Sequence, residues 1–116
     1  MQRNFIHLNP HRHILLAVIS LAFISCVYFN TFYNAETSFI KALKIIDESP
    51  IIENTKLPSQ ATKLLGEAIE NSKLVMEEYP DSKYIDDALF IIARSSFLRD
   101  EIAIAEKHFN LILQNY

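Results

Sequence analysis

A single cysteine, four histidines and several pairs of adjacent acids are the residues that could do chemistry in this chain. His11 and His13 are the closest pair of histidines, and both lie within the first thirteen residues. Adjacent acids such as Glu77–Glu78 and Asp86–Asp87 would point about 100° apart on a helix. That arrangement suits a solvated helix face better than a shared cation site, so neither set of residues predicts a metal centre.

The sequence also lacks the motifs of common reaction centres. It contains no glycine-rich phosphate loop, no zinc-ligand spacing and no nucleophile motif. Its formal net charge of −3 argues against nucleic acid as the main partner, because binding phosphates requires a basic surface. We therefore expect a protein that is not an enzyme, holds no cofactor or metal, and has neither a nucleic-acid partner nor a small-molecule substrate.

The cysteine, Cys26, ends a segment that has the order of a secretory signal. Residues 1–13 carry Arg3, Arg12 and three histidines but no acid, and residues 14–25 are apolar apart from two serines. Twelve residues rise about 18 Å as a helix, which is less than the roughly 30 Å hydrocarbon core of a bilayer. A basic start, a short apolar run and a small residue before the cut are typical of a signal peptide. The sequence thus predicts cleavage between Ser25 and Cys26.

The four residues "FISC" resemble the lipobox of bacterial lipoproteins, in which the cysteine is lipidated and becomes the new N-terminus. Ser25 and Cys26 match that motif and Ile24 is compatible with it, whereas Phe23 stands where leucine is usual. The resemblance implies a diacylglyceryl cysteine with a further N-acyl chain, and two or more chains anchor a protein stably at ~0.8 kcal/mol per buried methylene. Val27, in place of aspartate, resembles the sorting pattern of outer-membrane lipoproteins in Gram-negative bacteria.

An uncleaved membrane anchor remains the alternative for this segment. Residues 14–35 contain no charged side chain and are numerous enough for a signal anchor in the inner membrane. Asn30, Thr31 and Asn34 count against it, because polar groups are unfavourable inside hydrocarbon. Under that alternative, Cys26 would be a buried cysteine within the anchor.

Apolar residues at helical spacing predict an all-α fold, and one glycine in 116 residues favours helices over a turn-rich β fold. The first helix is predicted near 30–47, with Asn30 or Thr31 as its N-cap, and a proline-containing connector follows over 47–60. Ser59 and Ser82 are the predicted N-caps of the second and third helices, and residues 99–101 separate the third from the fourth. The residues expected to face inward on the fourth helix are Ile102, Ala105, Phe109, Ile112 and Leu113.

The later helices repeat in sequence. An offset of 37 residues places Ala68 on Ala105 and Tyr79 on Tyr116. A period in the thirties with paired helices is typical of tetratricopeptide arrays, although Ser72 and Ser96 stand where that pattern has Phe and Tyr. The residues predicted to pack within and between the repeats are Ala68, Tyr79, Pro80, Ala88, Ala93, Ala105 and Phe109.

The stretch "EEYPDSKYIDDALFIIARSSF…AIAEKHFNLILQNY" resembles the extended tetratricopeptide repeats of BamD-like (YfiO-type) outer-membrane lipoproteins. Their turn motif is matched by Tyr79, Pro80, Ser82, Tyr84 and Ala88. The stretch "YFNTFYNAETSFIKAL" also resembles the start of such lipoproteins. The resemblance implies an α-solenoid that is lipid-anchored in the outer membrane and faces the periplasm.

These observations predict tetratricopeptide-like helical hairpin repeats, an α-solenoid, behind a lipoprotein signal peptide. Residues 1–25 form the signal, 26–58 the lipidated N-terminus, first helix and connector, and 59–116 a repeat region. Because a solenoid usually needs three repeats, we expect that region to be truncated at its C-terminus. The resemblance implies a scaffold for other cell-envelope proteins in outer-membrane β-barrel assembly. The alternatives are a secretion, motility or peptidoglycan-linked complex, or an inner-membrane protein.

Overall fold

The structure, a computed structural model, describes the backbone of residues 10–49 and 56–115, and the side chains of 11–19, 30–49 and 56–115. Four helices occupy these ranges, and no strand occurs in them. The predicted all-α class is therefore confirmed. The helices are α1 (Pro10–Asp47), α2 (Ser59–Glu78), α3 (Ile85–Leu98) and α4 (Ile102–Asn115).

Helix α1 is much longer than the sequence patterns suggested. It begins at Pro10, so the predicted start near residue 30 is wrong, and Asn30 and Thr31 lie inside the helix instead of capping it. The sequence explains this length, because residues 11–49 contain neither glycine nor proline and nothing interrupts the backbone hydrogen bonds. Proline also suits the first helical position, where its missing N–H is not needed. The helix crosses the predicted cut before Cys26 without a break.

The starts of α2 and α3 correct two predicted caps. Ser59 is the first residue of α2, and Pro58 takes the capping position with its carbonyl accepting the N–H of Thr62 at 3.0 Å. Ser82 lies three residues before α3, where its Oγ accepts the backbone N–H of Tyr84 at 2.9 Å. Ser82 thus organises the turn between α2 and α3 without capping the helix itself.

The turn between α3 and α4 closes with a left-handed residue. Asp100 has φ 64°, and its N–H donates to the carbonyl of Phe97 at 3.1 Å. The N–H of Glu101 donates to the carbonyl of Ser96 at 2.9 Å. This pair of bonds is the Schellman arrangement that ends a helix and usually places glycine at the left-handed position. It separates α3 from α4 at the predicted residues 99–101.

The same turn is tied to α2 by Arg99. Its Nε donates to Glu101 Oε1 at 2.8 Å, and its Nη1 donates to the carbonyl of Thr62 at 3.4 Å. The only glycine of the chain, Gly66, lies beneath the guanidinium, and a Cβ added there would be 2.7 Å from Nη1. The small residue therefore leaves room for Arg99 to cross α2.

Helix α3 is the centre of the fold. It contacts α1, α2 and α4, whereas α2 and α4 do not touch in the described part of the chain. Small residues such as Ala35, Ala68 and Ala88 are fully buried and let the helices approach closely. The main cluster of buried side chains comes from α1, α2 and α3 and comprises Phe32, Ala35, Phe39, Ala42, Leu65, Ala68, Val75, Ala88 and Ile91.

Helix α4 packs on α3 alone, and its apolar side is largely uncovered. Of its described side chains only Ala105 is buried, while Phe109 and Ile112 are half-buried. The predicted inward orientation of Ile102 and Leu113 is wrong, since both are exposed. Helical periodicity in the sequence located the apolar stripe of α4. No described helix packs against the part of this stripe that contains Ile102 and Leu113.

The N-terminal part of α1 extends away from the other helices. Every described side chain from residue 11 to residue 19 is exposed, including the apolar run that begins at Ile14. Within the described residues, no helix combines the length and apolar character needed to cross a membrane.

Candidate functional site: a groove between α1 and α3

The candidate site lies where α1 and α3 run side by side in the same direction. At one end the ring of Phe32 stacks on the ring of Tyr84, which immediately precedes α3, with centroids 4.4 Å apart and planes 11° from parallel. At the other end Ile46 and Leu98 line a common depression. Residues 32–46 of α1 therefore follow residues 84–98 in parallel, and the two helices form the walls of a groove, here called the α1/α3 groove.

The first half of the α1/α3 groove is a cavity of about 410 Å³ with a largely aromatic lining. Five of its nine described lining residues are aromatic, which makes it suited to apolar side chains of a ligand. The lining comprises Phe32, Tyr33, Glu36, Phe39, Ile40, Tyr84, Asp87, Phe90 and Ile91.

Large apolar side chains stand exposed along both walls. Tyr33 and Ile40 on α1 are 52% and 57% exposed, and Phe90 on α3 is 46% exposed. Phe97, seven residues after Phe90, is 56% exposed but is not among the lining residues of either half. Each pair is seven residues apart, which returns to nearly the same helix face after two turns. Exposed large apolar residues in such an arrangement mark interaction surfaces on soluble domains. This second stripe was not predicted from the sequence, because the stripe that faces the core contains more apolar residues.

Two carboxylates are the charged groups that line the aromatic half. Glu36 and Asp87 are both exposed, and neither has an ion-pair or hydrogen-bond partner among the described residues. Asp87 lies in the first turn of α3, where it also complements the helix dipole. Glu36 lies in the interior of α1 and has no such role. Lys83 stands beside this half, with its Nζ 4.9 Å from the centroid of the Tyr84 ring.

The second half of the groove carries basic groups. A depression of about 560 Å³ shares Ile40 with the first half and is also lined by Lys44, Asp47 and Arg94. Lys44 forms an ion pair with Glu48, with Nζ 3.8 Å from Oε1. Arg94, in contrast, is exposed and has no ion-pair partner in the described ranges. The charged lining of the α1/α3 groove therefore changes from two carboxylates in the aromatic half to a mixed set in the other half, in which Arg94 is the cation without an ion-pair partner among the described residues.

The residues predicted from the repeat pattern lie beneath or beyond the groove, and none of them is among its described lining. Ala68, Ala88, Ala93 and Ala105 are buried between helices. Tyr79 and Phe109 are half-buried, and Pro80 is exposed in the turn after α2. The four alanines are buried, and none of the seven residues forms the recessed surface.

Cys26 and Ser25, the predicted lipidation and cleavage residues, lie in α1, and their side chains are outside the described set. Among the described residues, no group of three or more His, Cys, Asp or Glu side chains could hold a metal ion. The site therefore consists of an elongated recess of aromatic, aliphatic and charged side chains, which can bind a ligand by shape and charge.

Comparisons with known proteins do not assign this arrangement. No protein-family model, curated protein or solved structure matches the chain.

Proposed function

We propose that this protein is a lipid-anchored scaffold of tetratricopeptide-like hairpins that binds other proteins of the bacterial cell envelope in its α1/α3 groove. The observation that carries the proposal is the exposed apolar surface on both walls of that groove, represented by Ile40 and Phe90. Leaving such surface in water is unfavourable, at roughly 25 cal/mol per Å² of apolar area, and a protein partner would remove it from water.

The packing of the helices supports the repeat interpretation. The pairs α1–α2 and α3–α4 are successive hairpins, and α3 packs on both helices of the first one. Ala68 and Ala105 are 37 residues apart, and both are buried in the second helix of their hairpin. In helical solenoids each repeat contacts its neighbours, and the stacked helices present an extended binding surface. The groove is formed here by the first helix of each pair.

The position of Cys26 supports a membrane-proximal groove. Cys26 precedes Phe32 by six residues on the same helix, a rise of about 9 Å. Lipidation of Cys26 would therefore hold the aromatic half of the groove close to the bilayer surface. Such a scaffold suits a partner that is itself at the membrane. By the resemblance to BamD-like lipoproteins, that partner belongs to the outer-membrane β-barrel assembly machinery.

Photo-crosslinking in cells tests this function. We expect p-benzoylphenylalanine at Phe90 to give ultraviolet-dependent adducts with another envelope protein. The matched control is the same substitution at Leu74, an exposed apolar residue of α2 that does not line the groove. Equal adducts at the two positions, or none at Phe90, would contradict the proposal. Mass spectrometry of the adduct distinguishes β-barrel assembly from secretion, motility or peptidoglycan-linked complexes.

A further inference from the structure

Resting on the proposed function, we infer the chemistry of the groove's occupant. It is an amphipathic helix of the partner protein that carries a basic residue at one end of its apolar stripe and an acidic residue about two turns away. Two features of the groove indicate this occupant: the spacing of its apolar residues and the distribution of charge along its length.

The apolar spacing favours a helix as the occupant. Tyr33 and Ile40 repeat after seven residues on one wall, and Ile91 and Leu98 do so on the other. Seven residues of helix rise about 10 Å, so both walls offer apolar contacts at intervals of two helical turns. A helix that presents apolar residues at i, i+3, i+4 and i+7 repeats at the same interval, which is the helix-in-groove mode of recognition.

The aromatic half of the groove selects a cation. Glu36 from α1 and Asp87 from α3 face the same cavity, and no lysine or arginine belongs to its described lining. Half-exposed rings, such as that of Tyr33, border the same cavity and attract cations through their faces. Lys83 already places its ammonium 4.9 Å from the centroid of Tyr84, which shows that this neighbourhood accommodates a positive charge.

The other half selects an anion. Arg94 lies seven residues after Asp87 on α3, two turns along the same face, and has no ion-pair partner in the part of the chain that is described. Asp47 lines the same depression from α1 and forms no ion pair with Arg94, and Lys44 is paired with Glu48. A carboxylate of the bound helix would pair with Arg94, so the two charged residues of that helix stand about seven positions apart.

Fluorescence anisotropy with three synthetic helices tests the inference. The labelled peptides share one leucine stripe and carry two charged residues seven positions apart, which are Lys and Glu, Lys and Lys, or Glu and Glu. The full chain is held in phosphatidylcholine nanodiscs, and binding to empty nanodiscs is subtracted. We expect the mixed-charge peptide to bind about threefold more tightly than either same-charge peptide, as exposed ion pairs allow, and this preference to shrink in high salt.

Charge-reversal variants make the test specific. With Glu36→Lys and Asp87→Lys together, the aromatic half of the groove becomes basic while Arg94 stays in the other half, and the Glu and Glu peptide should bind most tightly. The matched control, Glu77→Lys with Glu78→Lys, changes the net charge equally on exposed positions of α2 and should keep the preference of the unmodified chain. Equal binding of all three peptides, no binding of any, or an unchanged preference in the groove variant would overturn the inference. Crosslinks at Phe90 without a charge preference would refute the inference alone, whereas the absence of crosslinks would refute the proposed function.

Discussion

The rings of Phe32 and Tyr84 stack with their centroids 4.4 Å apart and their planes 11° from parallel. The contact joins α1 to the residue that precedes α3, across 52 positions of sequence, and both rings line the aromatic half of the groove. Within this pair, Phe32 is buried and Tyr84 is half-buried. This aromatic pair thus brings the first described part of the α1 wall next to the start of α3.

Replacing either ring should lower the free energy of unfolding. We expect Phe32→Leu and Tyr84→Leu each to destabilise by about 1 to 2 kcal/mol, since each loses buried contacts. Their coupling in a double-mutant cycle should be about 1 kcal/mol, the usual contribution of a stacked pair. Urea unfolding of the full chain, followed by circular dichroism, measures all three values. The pair Phe32→Leu and Phe97→Leu is the control, and its effects should be additive; equal coupling in both pairs would contradict the role of the stack.

Replacing Gly66, which lies under Arg99, by alanine has two opposing effects on the free energy of unfolding. Gly66→Ala improves helix propensity by about 1 kcal/mol, but the new Cβ displaces Arg99 Nη1 from its 3.4 Å contact with the Thr62 carbonyl. Because that contact is long and the guanidinium is at the end of a flexible chain, we expect a net stabilisation of about 0.5 kcal/mol. In an Arg99→Ala background the full gain should appear. An identical gain in both backgrounds would show that Arg99 does not occupy this position.

The left-handed turn residue offers a second stabilising change. Asp100 has φ 64°, a conformation that costs most residues about 1 kcal/mol but costs glycine little. We expect Asp100→Gly to raise the midpoint of thermal unfolding by a few degrees, as about 0.5 kcal/mol would in a domain of this size. Asp81→Gly, in the turn after α2, lacks a positive φ and should leave stability unchanged or lower it. A loss of stability in Asp100→Gly would refute the Schellman geometry.

Replacing a buried serine of α2 or α3 by alanine should raise the free energy of unfolding. The hydroxyls of Ser72, Ser95 and Ser96 are fully buried and have no hydrogen-bond partner in the described part of the chain. Ser95→Ala removes such a group and improves helix propensity, so we expect a gain of about 1 kcal/mol in the free energy of unfolding. The half-buried Ser38 of α1 is the control, because Ser38→Ala gains propensity alone. If the two variants gained equally, an unsatisfied buried hydroxyl at Ser95 would be excluded.

Local sequence signals were enough to predict the breaks between the later helices and the small buried residues. Pro58 precedes the start of α2, Pro80 follows its end, and small residues such as Ala68 pack between helices. The full length of α1 was not predicted, because a residue that can cap a helix, such as Asn30, does not require the helix to begin there. No residue near Asn30 prevents the helix from continuing towards the N-terminus. Periodicity likewise found the apolar stripe of α4, but it could not show that Leu113 would remain exposed.

The α1/α3 groove could not be predicted from local patterns. Glu36 and Asp87 share a cavity because α3 packs in parallel on α1, and that packing includes contacts between distant segments such as the Phe32 and Tyr84 stack. The weaker stripe at Phe90 and Phe97 was visible in the sequence as a seven-residue spacing. Its significance required knowledge of which side of α3 faces the core.

Mass spectrometry of the protein purified from the cells that produce it tests whether the proposed scaffold is tethered through Cys26. We expect a chain that begins at Cys26 and carries a thioether-linked diacylglyceryl group and an N-acyl chain, with residues 1–25 absent. We also expect Cys26→Ala to accumulate with the leader attached. A wild-type chain that retains residues 1–25 and has an unmodified thiol at Cys26 would refute the lipid tether.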